Sequence, residues 1–147
     1  CACYYGGFNI TNNYKRNLIF RRPAPTNLQA IIFLPKSRKR GNLKKLTNFK
    51  PAFEKAWKLA KNGDYWNASI LNGLATSSIL NSDPKLILKL IQKGALSATI
   101  SGNGPSIVAI TKKGHNSHIK KVFSSLDGNI IISNINNKKA EVYEVQN

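Results

Sequence analysis

The 147-residue sequence predicts an α+β fold with a mostly antiparallel sheet. Three observations carry that reading. Short β-prone runs open the chain, helical periodicity fills its middle, and the last third returns to short apolar runs split by one helix. Helices and strands are therefore partly segregated, and the final section has the order of a split βαβ arrangement.

The elements follow in order. Phe8–Thr11 and Asn17–Phe20 are β-prone and flank Asn12-Asn13, so residues 7–22 read as a hairpin. Pro23-Ala24-Pro25 breaks the chain. The apolar run from Leu28 to Leu34, ended by Pro35, reads as a buried strand. Pro51 opens a helix whose stripe is Phe53, Trp57, Leu59 and Ala60, and Gly63 stops it. Asp64 caps the next helix, with Ala68, Leu71, Ala75 and Ile79 on one face. Asp83-Pro84 starts a third, with Leu86, Leu90 and Ile91 inward, ending before Gly94. Leu96–Ile100 and Ile107–Ile110 read as strands joined by the glycine-rich Ser101–Pro105. His118–Leu126 reads as a helix with Ile119, Val122, Phe123 and Leu126 inward. Asp127-Gly128 turns the chain into a strand at Asn129–Ser133, and alternation over residues 140–145 predicts a terminal strand. Trp57 and Trp66 are expected in the core.

Composition excludes several classes. Hydrophobic residues make up 41% of the chain, enough for a packed core, so wholesale disorder is excluded. No apolar run approaches the ~20 residues of a membrane-spanning helix. Cys1 and Cys3 are too close to frame a disulfide scaffold and no Cys/His cluster forms a zinc module. Without Cys-x-x-Cys spacing they read as a reduced pair in a cytoplasmic protein. The absence of methionine and the abrupt opening at Cys1-Ala2-Cys3 suggest the C-terminal part of a longer protein.

The formal net charge is +17. Such a charge raises nucleic acid as a partner. The basic residues are mostly scattered lysines, however, and the densest run, Lys36-Ser37-Arg38-Lys39-Arg40, has no interleaved aromatics. A basic surface that attracts a small anionic substrate fits equally well. His115 and His118 lie at a helix start without a partnered acid and read as surface histidines. Asn9-Ile10-Thr11 and Asn67-Ala68-Ser69 match glycosylation sequons that an Asn-rich chain produces by chance.

One segment carries chemistry: Gly94-Ala95-Leu96-Ser97-Ala98-Thr99-Ile100-Ser101-Gly102-Asn103-Gly104-Pro105-Ser106. Alternate glycines permit positive φ and close approach by a ligand. Successive backbone N–H groups in such a turn form an anion-binding concavity, and Ser101 and Ser106 add hydroxyls. A plain glycine-rich hairpin loop is the competing reading of these residues.

The whole string resembles the third motif of the GHMP kinases, a family of small-molecule kinases. Tyr5-Gly6-Gly7-Phe8-Asn9-Ile10-Thr11-Asn12-Asn13 is similar to the Gly-Gly-x-x-x-Thr-Asp-Asn stretch of its archaeal shikimate kinases, with Asn12 in place of Asp. Ile32-Phe33-Leu34-Pro35 is similar to that group's strand ending in proline. Ala68–Leu74, containing Leu71-Asn72-Gly73-Leu74, then Ser77-Ser78 and Asp83-Pro84, resembles its Leu-Asn-Gly-Leu helix and the Asp-Pro that follows. Homoserine kinases share the glycine-rich motif and fit the other segments less well.

The resemblance implies a ferredoxin-like antiparallel sheet with helices on one face, the family's C-terminal domain, over residues 27–147. Residues 1–26 would be the tail of the N-terminal, ATP-binding domain, contributing a β-hairpin. It implies transfer of the γ-phosphoryl group of ATP, with Mg2+, to the 3-hydroxyl of shikimate, on the route to chorismate and aromatic amino acids. The ATP phosphate loop and the catalytic residues are expected in an N-terminal kinase domain that nothing here matches, so this portion alone is expected to be inactive. Ser101, Gly102, Asn103, Gly104, Pro105, Ser106 and Asn72 would contact substrate or phosphate. Gly6, Gly7 and Thr99 would be structural near the site. Arg21, Arg22, Arg38 and Arg40 are the candidate partners for a substrate carboxylate. A homoserine kinase, another GHMP kinase, a non-catalytic regulatory relative and a basic nucleic-acid-binding module are the alternatives.

Overall fold

The computed structural model describes residues 5–12, 15–37, 42–80, 82–102 and 104–141. The chain divides into two compact units, one of residues 1–27 with 134–147 and one of residues 28–133.

The first unit holds a two-stranded antiparallel ribbon, β1 (Phe8–Asn12) and β2 (Asn17–Arg22), with Phe8 opposite Arg22 and Asn12 opposite Asn17. A register shift falls between Ile10 and Thr11. The Asn12 side chain accepts the Lys15 N–H at 2.9 Å, which starts the turn. Asparagine thus supplies the acceptor that aspartate would supply at this position.

The second unit is built on a four-stranded sheet. Its strands are β3 (Leu28–Pro35), β4 (Ser97–Ile100), β5 (Ile107–Lys112) and β6 (Gly128–Asn134), in the order β4-β5-β3-β6. β5 runs antiparallel to both β3 and β4, with Ile31 opposite Ala109 and Ile100 opposite Ile107. Counted within this unit, the first strand lies between the fourth and the third, which is the ferredoxin-like order the resemblance implied.

Four helices complete the unit. α1 (Lys50–Lys61) follows a 3-10 helix at Leu43–Phe49, and α2 (Tyr65–Ile79), α3 (Pro84–Gln92) and α4 (Ser117–Ser124) come after it. Asp64 caps α2 by accepting the Asn67 N–H, and Asp83 caps α3 by accepting the Lys85 N–H with Pro84 in the first turn. Alternate strand residues Ile31, Phe33, Ala98, Ile107 and Ala109 meet Ile87 and Leu90 of α3 and Ile119, Val122 and Phe123 of α4 in one core. Phe33 stacks on Phe123 at 5.3 Å between ring centroids. A smaller cluster joins Ile79, Leu80 and Ile100 to Phe53 and Leu46.

Three expectations are corrected. Trp57 is 40% exposed, because Ala56, one position and about 100° earlier on α1, takes the buried place. α4 ends at Ser124, so Leu126 falls on the following turn and is 37% exposed. In α3 the expected stripe does face the core, with Leu90 fully buried and Leu86 and Ile91 packed against it, and Ile87 joins them fully buried. Of the expected terminal strand, Ala140 and Glu141 are in no strand, and residues 142–147 lie outside the described residues. Cys1 and Cys3 also lie outside them.

Candidate functional site

The loop that carries the glycine-rich motif closes the β4–β5 hairpin. The Ser101 N–H donates to the Ser106 carbonyl at 2.8 Å, and the Gly104 N–H donates to the Ser101 carbonyl at 3.0 Å. Gly102 and Gly104 hold φ at +57° and +73°, and the Gly104–Pro105 bond is cis. Asn103 lies outside the described residues. Among the described residues, the N–H groups of Gly102 and Ser106 and the hydroxyls of Ser101 and Ser106 have no protein partner. Ser101 and Gly102 are exposed, while Gly104, Pro105 and Ser106 are half-buried. A short turn, none of whose own residues carries a carboxylate, thus presents a set of donors, which suits an anion.

α2 reaches this end of the sheet through Gly73. A Cβ at Gly73 would lie 2.5 Å from the Ala98 carbonyl oxygen and 2.9 Å from Thr99 Cα, so the helix backbone rests directly on β4. Asn72 is the next residue back along the helix. It is half-buried, and its side-chain amide has no hydrogen-bond partner among the described residues. Thr99, which meets the helix at Gly73, is half-buried and leads into the loop two residues later. Two strand residues span about 7 Å, so the fold brings Asn72, Thr99 and the Ser101–Ser106 turn to one end of this unit.

Gly6 and Gly7 belong to the other unit. Their φ angles are +65° and +72°. A Cβ on Gly6 would meet the Lys138 carbonyl oxygen at 2.5 Å, and one on Gly7 the Arg22 carbonyl oxygen at 2.5 Å. The segment 136–138 therefore presses against them, and the Gly7 N–H donates to the Asn136 carbonyl at 2.8 Å. The close approach needs glycine at both positions.

Three side chains that the sequence did not single out for this purpose lock that contact. Asn9 Nδ2 donates to the carbonyls of Gly6 and Gly7 at 3.2 and 3.0 Å. Asn137 pairs with both backbone groups of Ala24, at 2.8 and 2.7 Å. Arg21 donates through Nε to the Gly6 carbonyl at 3.2 Å and through Nη2 to the Asn137 carbonyl at 2.7 Å. Its guanidinium is committed to backbone oxygens, so it is a poor partner for a substrate carboxylate. The Arg22 guanidinium lies over the Phe20 ring, 5.0 Å from its centroid. Arg38 and Arg40 lie outside the described residues.

Among the described residues no three of His, Cys, Asp or Glu come together to hold a metal ion. The donors of the Ser101–Ser106 turn are N–H and O–H groups, and none of its residues carries a carboxylate, so these residues do not fit a divalent cation. No helix among the described residues is long and apolar enough to cross a membrane.

The resemblance read from the sequence is matched by known proteins. The chain is 29% identical over 146 residues to the shikimate kinase of Methanothermobacter thermautotrophicus, covering 97% of this chain and 50% of that protein. It is 32% identical over 145 residues to the shikimate kinase of Methanosarcina acetivorans, covering 95% of this chain and 49% of that protein. Among solved structures, a homoserine kinase from Cytophaga hutchinsonii superposes with a TM-score of 0.65 at 22% identity, over 93% of this chain and 51% of that one. That likeness shows the fold. No protein-family model matches the chain. The chain spans about half the length of the curated relatives it matches.

Proposed function

We propose that this chain, a relative of the archaeal shikimate kinases over nearly all its length, is the acceptor-side portion of an ATP-dependent kinase that phosphorylates the 3-hydroxyl of shikimate. The observation that carries the reading is the Ser101–Ser106 turn, with its unpartnered donors, in a chain similar to shikimate kinases along 97% of its length.

Phosphoryl transfer asks the protein for alignment and for stabilisation of charge on the transferred group. The acceptor hydroxyl oxygen attacks the γ-phosphorus, the bond to the β–γ bridging oxygen breaks, and ADP leaves. In this reading the hydroxyls of Ser101 and Ser106 and the N–H groups of Gly102 and Ser106 donate to phosphate oxygens, and Gly104 and Pro105 shape the turn. Asn103 contributes from the same loop. The Asn72 amide hydrogen-bonds an acceptor hydroxyl. Thr99, Gly6 and Gly7 act through the backbone they hold. Mg2+ supplies charge neutralisation when it accompanies ATP, and the donor set of this turn is not its site. The phosphate-binding loop, the metal-binding carboxylates and the base that takes the hydroxyl proton belong to an N-terminal kinase domain, in keeping with relatives about twice as long as this chain. The reaction would run in the cytoplasm.

The test is ADP formation by the protein as its gene encodes it, with shikimate and homoserine offered separately. Turnover with shikimate and little with homoserine supports the reading. Preference for homoserine moves the chain to the kinase type of its structural neighbour.

A further inference from the structure

The β4–β5 hairpin carries a second feature at the end opposite the Ser101–Ser106 turn. There Gly94 and Leu96 lead into β4, and Thr111 and Lys112 end β5. The four residues of β4 set this end about 13 Å from the turn. An open pocket of about 500 Å³ lies here, walled chiefly by Lys93, Leu96, Lys112, His115, Ser117 and His118.

The walls are fixed by a set of hydrogen bonds, one of which engages a wall side chain: His115 Nδ1 lies 3.2 Å from the Lys113 carbonyl oxygen. Thr111 is fully buried, and its hydroxyl donates to the His115 carbonyl at 3.1 Å. The His115 N–H donates to the Lys112 carbonyl at 3.1 Å. Asn116 Nδ2 donates to Gln29 Oε1 at 3.0 Å, tying the β5–α4 connection to the neighbouring strand. No acidic residue lines the pocket. Neither Lys93 nor Lys112 has an ion-pair partner among the described residues. Leu96, half-buried, provides an apolar floor. The pocket thus gathers two lysines without an ion-pair partner among the described residues, two histidines and a serine on a pre-set turn, with no acidic side chain among its lining residues.

We propose that this pocket binds a small phosphate-bearing anion, at a site separate from the one where phosphoryl transfer would occur. Lys93 and Lys112 supply the charge, and the Ser117 hydroxyl and a ring N–H of His118 donate to the phosphate oxygens, while His115, its Nδ1 held by the Lys113 carbonyl at 3.2 Å, walls the site. The pre-set turn keeps the ordering cost of binding low.

The protein as encoded by its gene, labelled with nitrogen-15, is titrated with inorganic phosphate at ionic strength held constant by chloride. Saturable shifts of backbone amides at residues 93–96 and 111–118 are expected. The Lys93→Gln/Lys112→Gln double variant, exposed at both positions and folded by the same spectrum, should weaken them at least about tenfold, the loss of one charge-assisted contact or more. Shifts confined to residues 101–106, shifts spread over the lysine surface, or unchanged affinity in the variant would overturn the proposal. A parallel titration with a short single-stranded oligonucleotide separates the sources of phosphate. Binding at these residues that is tighter for the oligonucleotide and falls steeply with salt would replace the small anion with a nucleic-acid backbone. The readout is local and independent of ADP formation, so it stands or falls apart from the kinase reading.

Discussion

Arg21 sits beside the paired glycines as a free cation would, yet its two donated bonds go to the carbonyls of Gly6 and Asn137. Arg21→Ala should therefore lower stability by about 1 kcal/mol, the net worth of a hydrogen bond whose carbonyl water can partly reach. The same variant should leave KM for shikimate unchanged, which steady-state kinetics beside a urea melt would check. A raised KM with normal stability would return Arg21 to the list of carboxylate partners. Asn72→Ala tests the opposite case. Its amide lacks a protein partner among the described residues. Removing it should raise KM for the acceptor about tenfold with little change in the melt. The sequence singled out Asn72 through the Leu71-Asn72-Gly73-Leu74 string, and its role awaits that kinetic test. The role of Arg21 was not, since Arg21 and Asn137 lie 116 residues apart and nothing local in the chain announces the contact.

At the scale of elements, local signals served where the chemistry is local. Asp64 and Asp83 cap the helices the sequence assigned to them, and Ser101–Pro105 forms the expected turn between two strands. Periodicity names the residues that share a helix face, but it does not say which face is covered. That gap explains Trp57, exposed while Ala56 is buried; Leu126 is a separate case, left beyond the end of α4 because the pattern did not mark where the helix stops. The 3-10 helix at Leu43–Phe49 was missed because its Leu-Lys-Lys-Leu-Thr-Asn-Phe run has too few turns to set a period. Packing gives a direct prediction. Phe123 is fully buried and stacked on Phe33, so Phe123→Ala should cost about 3–5 kcal/mol. Trp57→Ala, on an exposed face, should cost well under half of that. Equal losses in paired urea melts would contradict the arrangement of α1 and α4.

For the whole molecule, the dominant fact outside the site is a formal net charge of +17. Among the described residues, the ion pairs Lys36–Asp127 at 2.8 Å and Lys50–Glu54 at 3.8 Å are both exposed and offset little of it. Self-repulsion at that charge destabilises a compact state, and salt screens it. Raising sodium chloride from about 20 to about 200 mM should raise Tm, and a fall in Tm would contradict a stability limited by repulsion. The residues themselves predicted a mostly antiparallel sheet with a split βαβ pattern in the last section, and the ferredoxin-like order came only with the family resemblance. The division of the chain, with residues 134–147 grouped with residues 1–27, depends on contacts between its two ends that no local pattern encodes. The central claim is that the protein phosphorylates shikimate through the Ser101–Ser106 turn. Its most direct measurement is shikimate-dependent ADP formation by the gene-encoded protein and by its Ser101→Ala/Ser106→Ala variant. The account predicts turnover with shikimate that falls at least about tenfold in the variant while the fold persists. Equal turnover in both proteins, or turnover with homoserine and none with shikimate, would contradict it.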